Sequence, residues 1–381
     1  MTLVYFDAGG GHRAAARALE SAISMAELPW EISFLNLQDL LNQVDLVRKL
    51  TTLRSQDVYN LMLEKGWTLG AAQLLKVLHR LIRIYYRSIV KLLVRHWQDA
   101  RPDLVVSLVP NFNKALAESI RRFSTAVPFA TILTDLADYP PHFWIERESE
   151  YLICGTEFAA EQGRRISHAP ERVIRVSGMI LNPDFYAPPL EGRTKQREAL
   201  GLDAGLTTGL VMFGGHGSSS MLTLAGELAS FKDLQLIFIC GHNRRLESRL
   251  RSIRFNLPVH IEGFTREVPR FMQMSDFFIG KPGPGSISEA LLMGLPVIVE
   301  RNVWTLPQER FNTDWIRENN LGIVVRSFRA VSPAVEKLVS PGTLALYRSN
   351  VRRIENRAVF EIPEILARIL EDSKGEQKLA L

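Results

Sequence analysis

The sequence predicts an α/β protein built of two Rossmann-like domains that face each other across a cleft. Three observations predict it. Short apolar runs alternate with helix-length stretches in both halves of the chain, the pattern of parallel sheets fed by crossover helices. Strand passes to helix through glycine-rich turns at three places, Asp7–His12, Gly214–Ser220 and Gly280–Ser286. The two arrays are divided at Gly178–Pro189, where Asn182-Pro183 and Pro188-Pro189 read as a linker. The expected domains are residues 1–180 and 181–353, with a terminal helix over 354–372 able to return to the first.

Length and composition agree and exclude several classes. A chain of 381 residues is long for a single core. No run of about 18 apolar residues is present, so no spanning helix is expected. The start, Met1–Phe6, lacks a basic leader and reads as a first strand and not as a secretion signal, while the expected cytoplasmic setting rests on two cysteines that read as reduced. Cys154 and Cys240 each end an apolar run and read as buried thiols. No cysteine–histidine cluster has metal-ligand spacing, so neither metal nor other cofactor is expected. The net charge of +5 is a local property. Seven basic residues and no acid fall within Lys65–Gln98, which leaves the rest of the chain slightly acidic.

In chain order, Leu3–Phe6 is a strand, Asp7-Ala8-Gly9-Gly10-Gly11-His12 a turn, and Arg13–Ile23 a helix. His12 sits where the helix dipole disfavours imidazolium, so a neutral ring is available as a base; the competing reading is a packing or capping histidine. Glu31–Asn36 is a second strand, and Leu37–Leu63 is helical or irregular. In the helix Gln73–Trp97, Lys76, Arg80, Arg83, Arg87, Lys91 and Arg95 share about a third of the circumference. A cationic stripe beside an apolar and aromatic face suits an anionic membrane surface. A core helix with a solvated basic edge is the alternative. Nucleic acid is not expected, because no nucleic-acid fold motif accompanies the stripe.

After the strand at Asp103–Val109 and the helix at Asn113–Arg122, the strand Phe129–Leu133 leads into Asp135 and a proline- and aromatic-rich loop that contains His142 and Trp144. Ligands of open α/β sheets collect at such carboxyl ends. In the second half, Phe277–Ile279 is a strand, and Ser286 is expected to cap the helix that carries Glu289. Free amides at that turn offer a phosphate site, and Glu289 can reach the two hydroxyls of a ribose.

With these residues in place, the chain resembles the GT-B glycosyltransferases typified by monogalactosyldiacylglycerol synthases, processive diacylglycerol glucosyltransferases and the lipid-II-forming enzyme of peptidoglycan synthesis. Asp7–Ala16 is similar to their amino-terminal signature. Gly214-Gly215, Cys240–Asn243, Gly263-Phe264, Gly280–Glu289 and Gln308-Glu309 are similar to their donor-site series, in order and approximate spacing. Val109-Pro110 stands where galactolipid synthases tend to have His-Pro, and Leu306–Glu309 lacks the usual glycine. The resemblance implies inverting transfer of a hexose, galactose foremost, from a UDP-sugar to diacylglycerol or a similar lipid, by a peripheral enzyme on the inner membrane face. It implies that Phe264 and its neighbours hold uracil and Glu289 the ribose. Gly214, Gly215, Gly283, Gly285 and Ser286 would surround pyrophosphate, while Gln308 and Glu309 contact the sugar. His12 or Asp7 would be the base. Gly10, Gly11, Asp135, His142 and Trp144, with Arg80, Arg83 and Arg87, would lie on the acceptor and membrane side. A glucosyl or N-acetylglucosaminyl donor with another lipid acceptor, and a UDP-sugar 2-epimerase, are the rival readings.

Overall fold

A computed structural model describes residues 1–7, 10–42, 71–148, 150–167, 169–189 and 191–380, with the side chains of 42, 71–79, 81 and 376–380 left aside. The stretch read as helical or irregular, Leu37–Leu63, falls outside the described residues beyond Asn42, as do Ala8 and Gly9 of the first glycine turn. The chain forms two compact units, one from the residues up to Pro183 together with those from Asn356 onward, the other from Asp184–Glu355.

The first unit is a six-stranded parallel sheet of β1 (Thr2–Tyr5), β2 (Ser33–Asn36), β3 (Val105–Ser107), β4 (Phe129–Ile132), β5 (Tyr151–Cys154) and β6 (Val173–Arg175). Their order is β2-β1-β3-β4-β5-β6. The order reverses between β1 and β3, so the crevice above their carboxyl ends is the place for a ligand. Helix α1 (Gly11–Met25) follows β1, and α2 (Leu37–Asn42) follows β2. The terminal helix spans Ala358–Ala380, longer than expected, and packs on α1. Its Glu361 carboxylate accepts the Ser177 amide at 2.8 Å.

Helix α3 (Ala71–Ala100) is the basic one, and it packs against α4 (Asn113–Phe123). Ile89, Val90, Leu93 and Trp97 are buried there, and the Trp97 indole donates to Ser119 Oγ at 2.8 Å. The apolar face of this half is therefore spent on the core, because burying it against a neighbouring helix is worth the same area as burying it in lipid. Arg80, Arg83 and Arg87 lie on the exposed edge, with Ile84 beside them. For residues 82–97 the core-helix alternative describes the packing.

The second unit repeats the architecture with β7 (Thr207–Met212), β8 (Leu234–Ile239), β9 (Val259–Glu262), β10 (Phe277–Gly280), β11 (Val297–Glu300) and β12 (Gly322–Val325). The order β12-β11-β10-β7-β8-β9 reverses between β7 and β10. Near-continuous apolar strands bury both faces, as parallel sheets require. At the amino-terminal edge of β10, Asp276 gathers Arg193 and Arg197, each at 2.7 Å, and also Arg348. Burial opposes ionisation of Asp276, but the Arg193 charge and the surrounding hydrogen bonds hold its carboxyl below the ordinary range. Asp276→Ala strands the buried Arg197 guanidinium and is expected to cost about 3–5 kcal/mol by denaturant melting. The depressed carboxyl contributes stability above its unfolded value, and that contribution disappears as pH falls through the lower folded value.

Candidate functional site

In the first unit the chain leaves β1 through Phe6 and Asp7 and enters α1 at Gly10, whose φ of 80° is left-handed backbone that glycine adopts without strain. The first intrahelical acceptor is the Gly10 carbonyl, which takes the Ala14 amide at 3.0 Å. The amides of Gly11, His12 and Arg13 are thus left without helical partners, and no acid stands in the first turn. The helix begins two residues earlier than the composition suggested, so His12 belongs to its first turn.

From there the His12 ring spans the ends of three strands. Its Nδ1 lies 3.0 Å from the Thr134 hydroxyl beyond β4, and the Leu108 carbonyl beyond β3 also accepts from the ring. The Trp144 ring stands 5.8 Å away at 53°. Burial among these groups pushes His12 down to about 4, only partly opposed by the Leu108 carbonyl. The neutral imidazole expected from the helix dipole is present, but desolvation is its main cause. Asp7 turns elsewhere, forming an ion pair with Arg13 at 2.9 Å on the surface.

The loop after β4 departs from the expectation that Asp135 and Trp144 face an acceptor. Trp144 has no exposed surface, and its indole N–H donates to the buried Asp135 carboxylate at 2.8 Å. Both are walls rather than contact groups, because a side chain wholly inside the core presents nothing to a ligand. Asp138, which the sequence reading passed over, ties the loop together by accepting the amides of His142 at 2.9 Å and Trp144 at 2.6 Å. Its burial pushes its carboxyl up against those hydrogen bonds.

His142 remains exposed at φ 64°, and Asn111 holds φ 68°. Left-handed backbone at two non-glycine residues is strain of the kind that gathers at ligand sites. Both line a cavity of about 580 Å³ together with Ile82, Arg83, Tyr86 and Lys114. Arg80 and Arg87 are not among its lining residues.

In the second unit the glycine loops meet at the β7–β10 switch point. Gly214 has φ 69°, and Gly241 has φ 60° with a Cβ position only 2.2 Å from the Gly215 carbonyl, so only glycine fits there. The His242 amide donates to that carbonyl at 2.8 Å and ties the loop after β7 to the loop after β8. Beyond β9, Phe264 is half exposed and its ring stacks on His242 at 3.9 Å.

The helix after β10 runs Pro284–Leu292, with Gly283 as its cap in extended backbone. Ser286 is thus the third residue of the helix and not its cap. Proline at the first position explains the earlier start, since its fixed φ suits the helix and its missing N–H would be unpaired there anyway. The amides of Gly285 and Ser286 point out of the first turn without helical acceptors, and Gly285 faces open space. Lys281, unremarked in the sequence, crosses this turn. Its Cε lies 3.3 Å from the Cβ position of Gly283 and 3.9 Å from that of Gly214. Its ammonium reaches Glu309 at 3.8 Å. A lysine inside a glycine-rich strand-to-helix turn was the signal available for it.

Glu289 lies one turn into that helix, and its carboxyl forms no hydrogen bond or ion pair among the described residues. Desolvation alone pushes its carboxyl up to about 7. Gln308 and Glu309 open the next helix, Pro307–Glu318, behind Pro307. Glu309 is buried and shifted up by desolvation, with Lys281 opposing. Asn312 donates to the Pro282 carbonyl at 2.8 Å, and its buried Oδ1 has no partner among the described residues. Its polarity marks it as a member of this cluster that the sequence reading left out. No group of three or more potential metal ligands occurs among the described residues.

Residues 210–300 match the glycosyltransferase family 28 C-terminal domain, a stretch that runs from within β7 to the end of β11 and includes Lys281, Ser286 and Glu289 but not Gln308, Glu309 or Asn312. Among solved structures the chain is similar to MurG of Acinetobacter baumannii, with a TM-score of 0.63 at 11% identity over 96% of this chain and 99% of that one. The fold and this match define the class, a GT-B fold whose second unit contains a glycosyltransferase family 28 C-terminal domain. Within it the relatives by sequence are galactolipid synthases. The chain is 28% identical to a probable monogalactosyldiacylglycerol synthase 2 of Oryza sativa subsp. indica, over 93% of this chain and 77% of that protein. It is 29% identical to monogalactosyldiacylglycerol synthase 1 of Arabidopsis thaliana, over 69% of this chain and only 51% of that protein. The expected fold class and resemblance are thereby borne out.

Proposed function

We propose that the protein transfers a hexose, galactose foremost, from a UDP-sugar to the free hydroxyl of diacylglycerol or a similar lipid, with inversion at the anomeric carbon. The observation that carries this reading is the convergence of Lys281, the Gly285 and Ser286 amides and the unpartnered Glu289 carboxylate at one sheet switch point. Cation and amides suit a pyrophosphate, and a carboxylate beside them suits a ribose diol. Gln308 and Glu309 would receive the sugar hydroxyls, and Phe264 the uracil. Departing UDP is stabilised by Lys281 and the amides, so the reading calls on no divalent metal.

His12 takes the proton of the acceptor hydroxyl as the oxygen bonds to the anomeric carbon and the UDP oxygen leaves with the electron pair. Its uncharged ring supports this role, and the surface ion pair of Asp7 with Arg13 favours His12 over Asp7. The strained cavity at Asn111 and His142 is the place proposed for the acceptor. Incubation with UDP-galactose, UDP-glucose and UDP-N-acetylglucosamine in turn, each with diacylglycerol, followed by mass and linkage analysis of the lipid, tests the assignment. A product with galactose in β linkage is expected; free sugar epimerisation without lipid product would replace transfer by the 2-epimerase reading.

The exposed edge of α3 supports contact with an anionic cytoplasmic leaflet. Each basic group near such a surface is worth about 1 kcal/mol. The triple change Arg80→Glu, Arg83→Glu and Arg87→Glu is expected to abolish co-sedimentation with anionic vesicles while UDP affinity stays unchanged. Equal sedimentation of variant and wild type would remove the membrane assignment from this edge.

A further inference from the structure

We propose that Thr134 is a positioning residue for His12, its hydroxyl oxygen accepting the Nδ1 proton so that Nε2 is the nitrogen that receives the proton of the acceptor. The inference rests on His12 as the base and adds which nitrogen acts and what holds it.

Three features of the first unit carry it. Nδ1 and Thr134 Oγ1 are 3.0 Å apart although 122 residues separate them in the chain, so the contact is made by the fold and not by local sequence. It arises because β1, β3 and β4 are neighbours in the sheet, and α1 starts directly over their carboxyl ends. The second group that accepts from the ring, the Leu108 carbonyl, is likewise an uncharged oxygen. In the proposed tautomer the Nδ1–H donates both to Thr134 and to the Leu108 carbonyl, which can only accept, and Nε2 carries the lone pair. Finally, Trp144 stands beside the ring, its centroid 5.8 Å away, and is itself fixed by Asp135 and Asp138.

The choice of a hydroxyl has a chemical consequence. A carboxylate at this place would raise the basicity of the ring but would also draw a proton onto it in the resting enzyme. Thr134 orients the imidazole without charging it, and its oxygen still solvates the imidazolium that forms when Nε2 takes the proton. In that step the acceptor O–H bond breaks as the new glycosidic bond forms, UDP leaves with the electron pair, and His12 later returns the proton to water.

The test compares Thr134→Val, Thr134→Ser and His12→Ala with the wild type. Thr134→Val is expected to lower kcat roughly tenfold, the loss of one oriented hydrogen bond. KM for donor and acceptor and the affinity for UDP stay unchanged, and Thr134→Ser restores kcat. In the wild type, the His12 ¹⁵N resonances, assigned by their absence in His12→Ala, are expected to show a protonated Nδ1 and a bare Nε2. A proton on Nε2, wild-type kcat in Thr134→Val, or failure of serine to rescue overturns the inference. Full activity in His12→Ala removes the base reading itself and this one with it.

Discussion

Replacing His12 by alanine is expected to lower kcat by about 10²–10⁴-fold, the usual contribution of a positioned base, while UDP affinity remains that of the wild type. The split follows from placement. His12 belongs to the first unit, and every group proposed to hold UDP belongs to the second. The pH dependence is equally specific. The neutral ring is the active form, and burial holds His12 at about 4, below its unfolded value. The fraction of active enzyme is therefore complete at neutral pH and falls only as pH drops through about 4, with no break near the ordinary histidine value. The same shift affects stability: as pH falls from the unfolded value toward 4 the unfolded chain takes up the proton first, so stability declines across that window. A profile of kcat at saturating donor, measured from pH 4.5 to 8, keeps donor affinity out of the reading and tests both the identity of the base and its protonation state. A break near 6.5 that His12→Ala abolishes would show a solvated histidine and contradict the burial described here.

How much of this was readable beforehand depended on whether a feature leaves a local trace in the sequence. The glycine turns did, since left-handed backbone and close chain approach exclude other residues, as at Gly10 and Gly241. The alternation of apolar strands and helices did too, and with it the fold class. The partner of an amphipathic face did not. The pattern of α3 is the same whether its apolar side meets lipid or α4, and only the packing of Ile89, Leu93 and Trp97 separates the two. Nor did the role of a polar residue in a long-range knot: Asp138 looked like one acid among several, and Trp144 like an acceptor-side aromatic. Lys281 has a local trace in its glycine-rich turn, whereas Asn312 has none, because its bond to Pro282 joins segments 30 residues apart.

Glu289 is the residue where function and stability are expected to move in opposite directions. Its carboxyl is raised from an ordinary 4.5 to about 7 by desolvation, with no partner among the described residues. Folding therefore favours the protonated form, and stability falls as pH rises from about 4.5 to 7, by up to about 3 kcal/mol. Glu289→Gln removes that titration and should melt at a higher temperature than the wild type at pH 8, with the difference vanishing toward pH 4.5. A ribose diol reverses the preference, because two hydroxyl donors stabilise the carboxylate and lower its pKa in the complex. UDP affinity of the wild type should thus weaken as pH falls through about 7, beyond whatever the phosphate itself contributes, and the glutamine variant isolates that contribution. At pH 8 the variant is expected to bind UDP roughly 10- to 100-fold more weakly, the worth of a charge-assisted hydrogen bond of about 1.5–3 kcal/mol. Thermal melts and calorimetric titrations of both proteins at several pH values measure the two effects. A glutamine variant that melts higher and binds UDP as tightly as the wild type would mean that the buried carboxylate serves no nucleotide, and the ribose assignment would have to move elsewhere in the second unit. Weaker binding together with higher stability is what a carboxyl group held unpaired for a ligand produces, since the fold bears its desolvation until the ribose arrives.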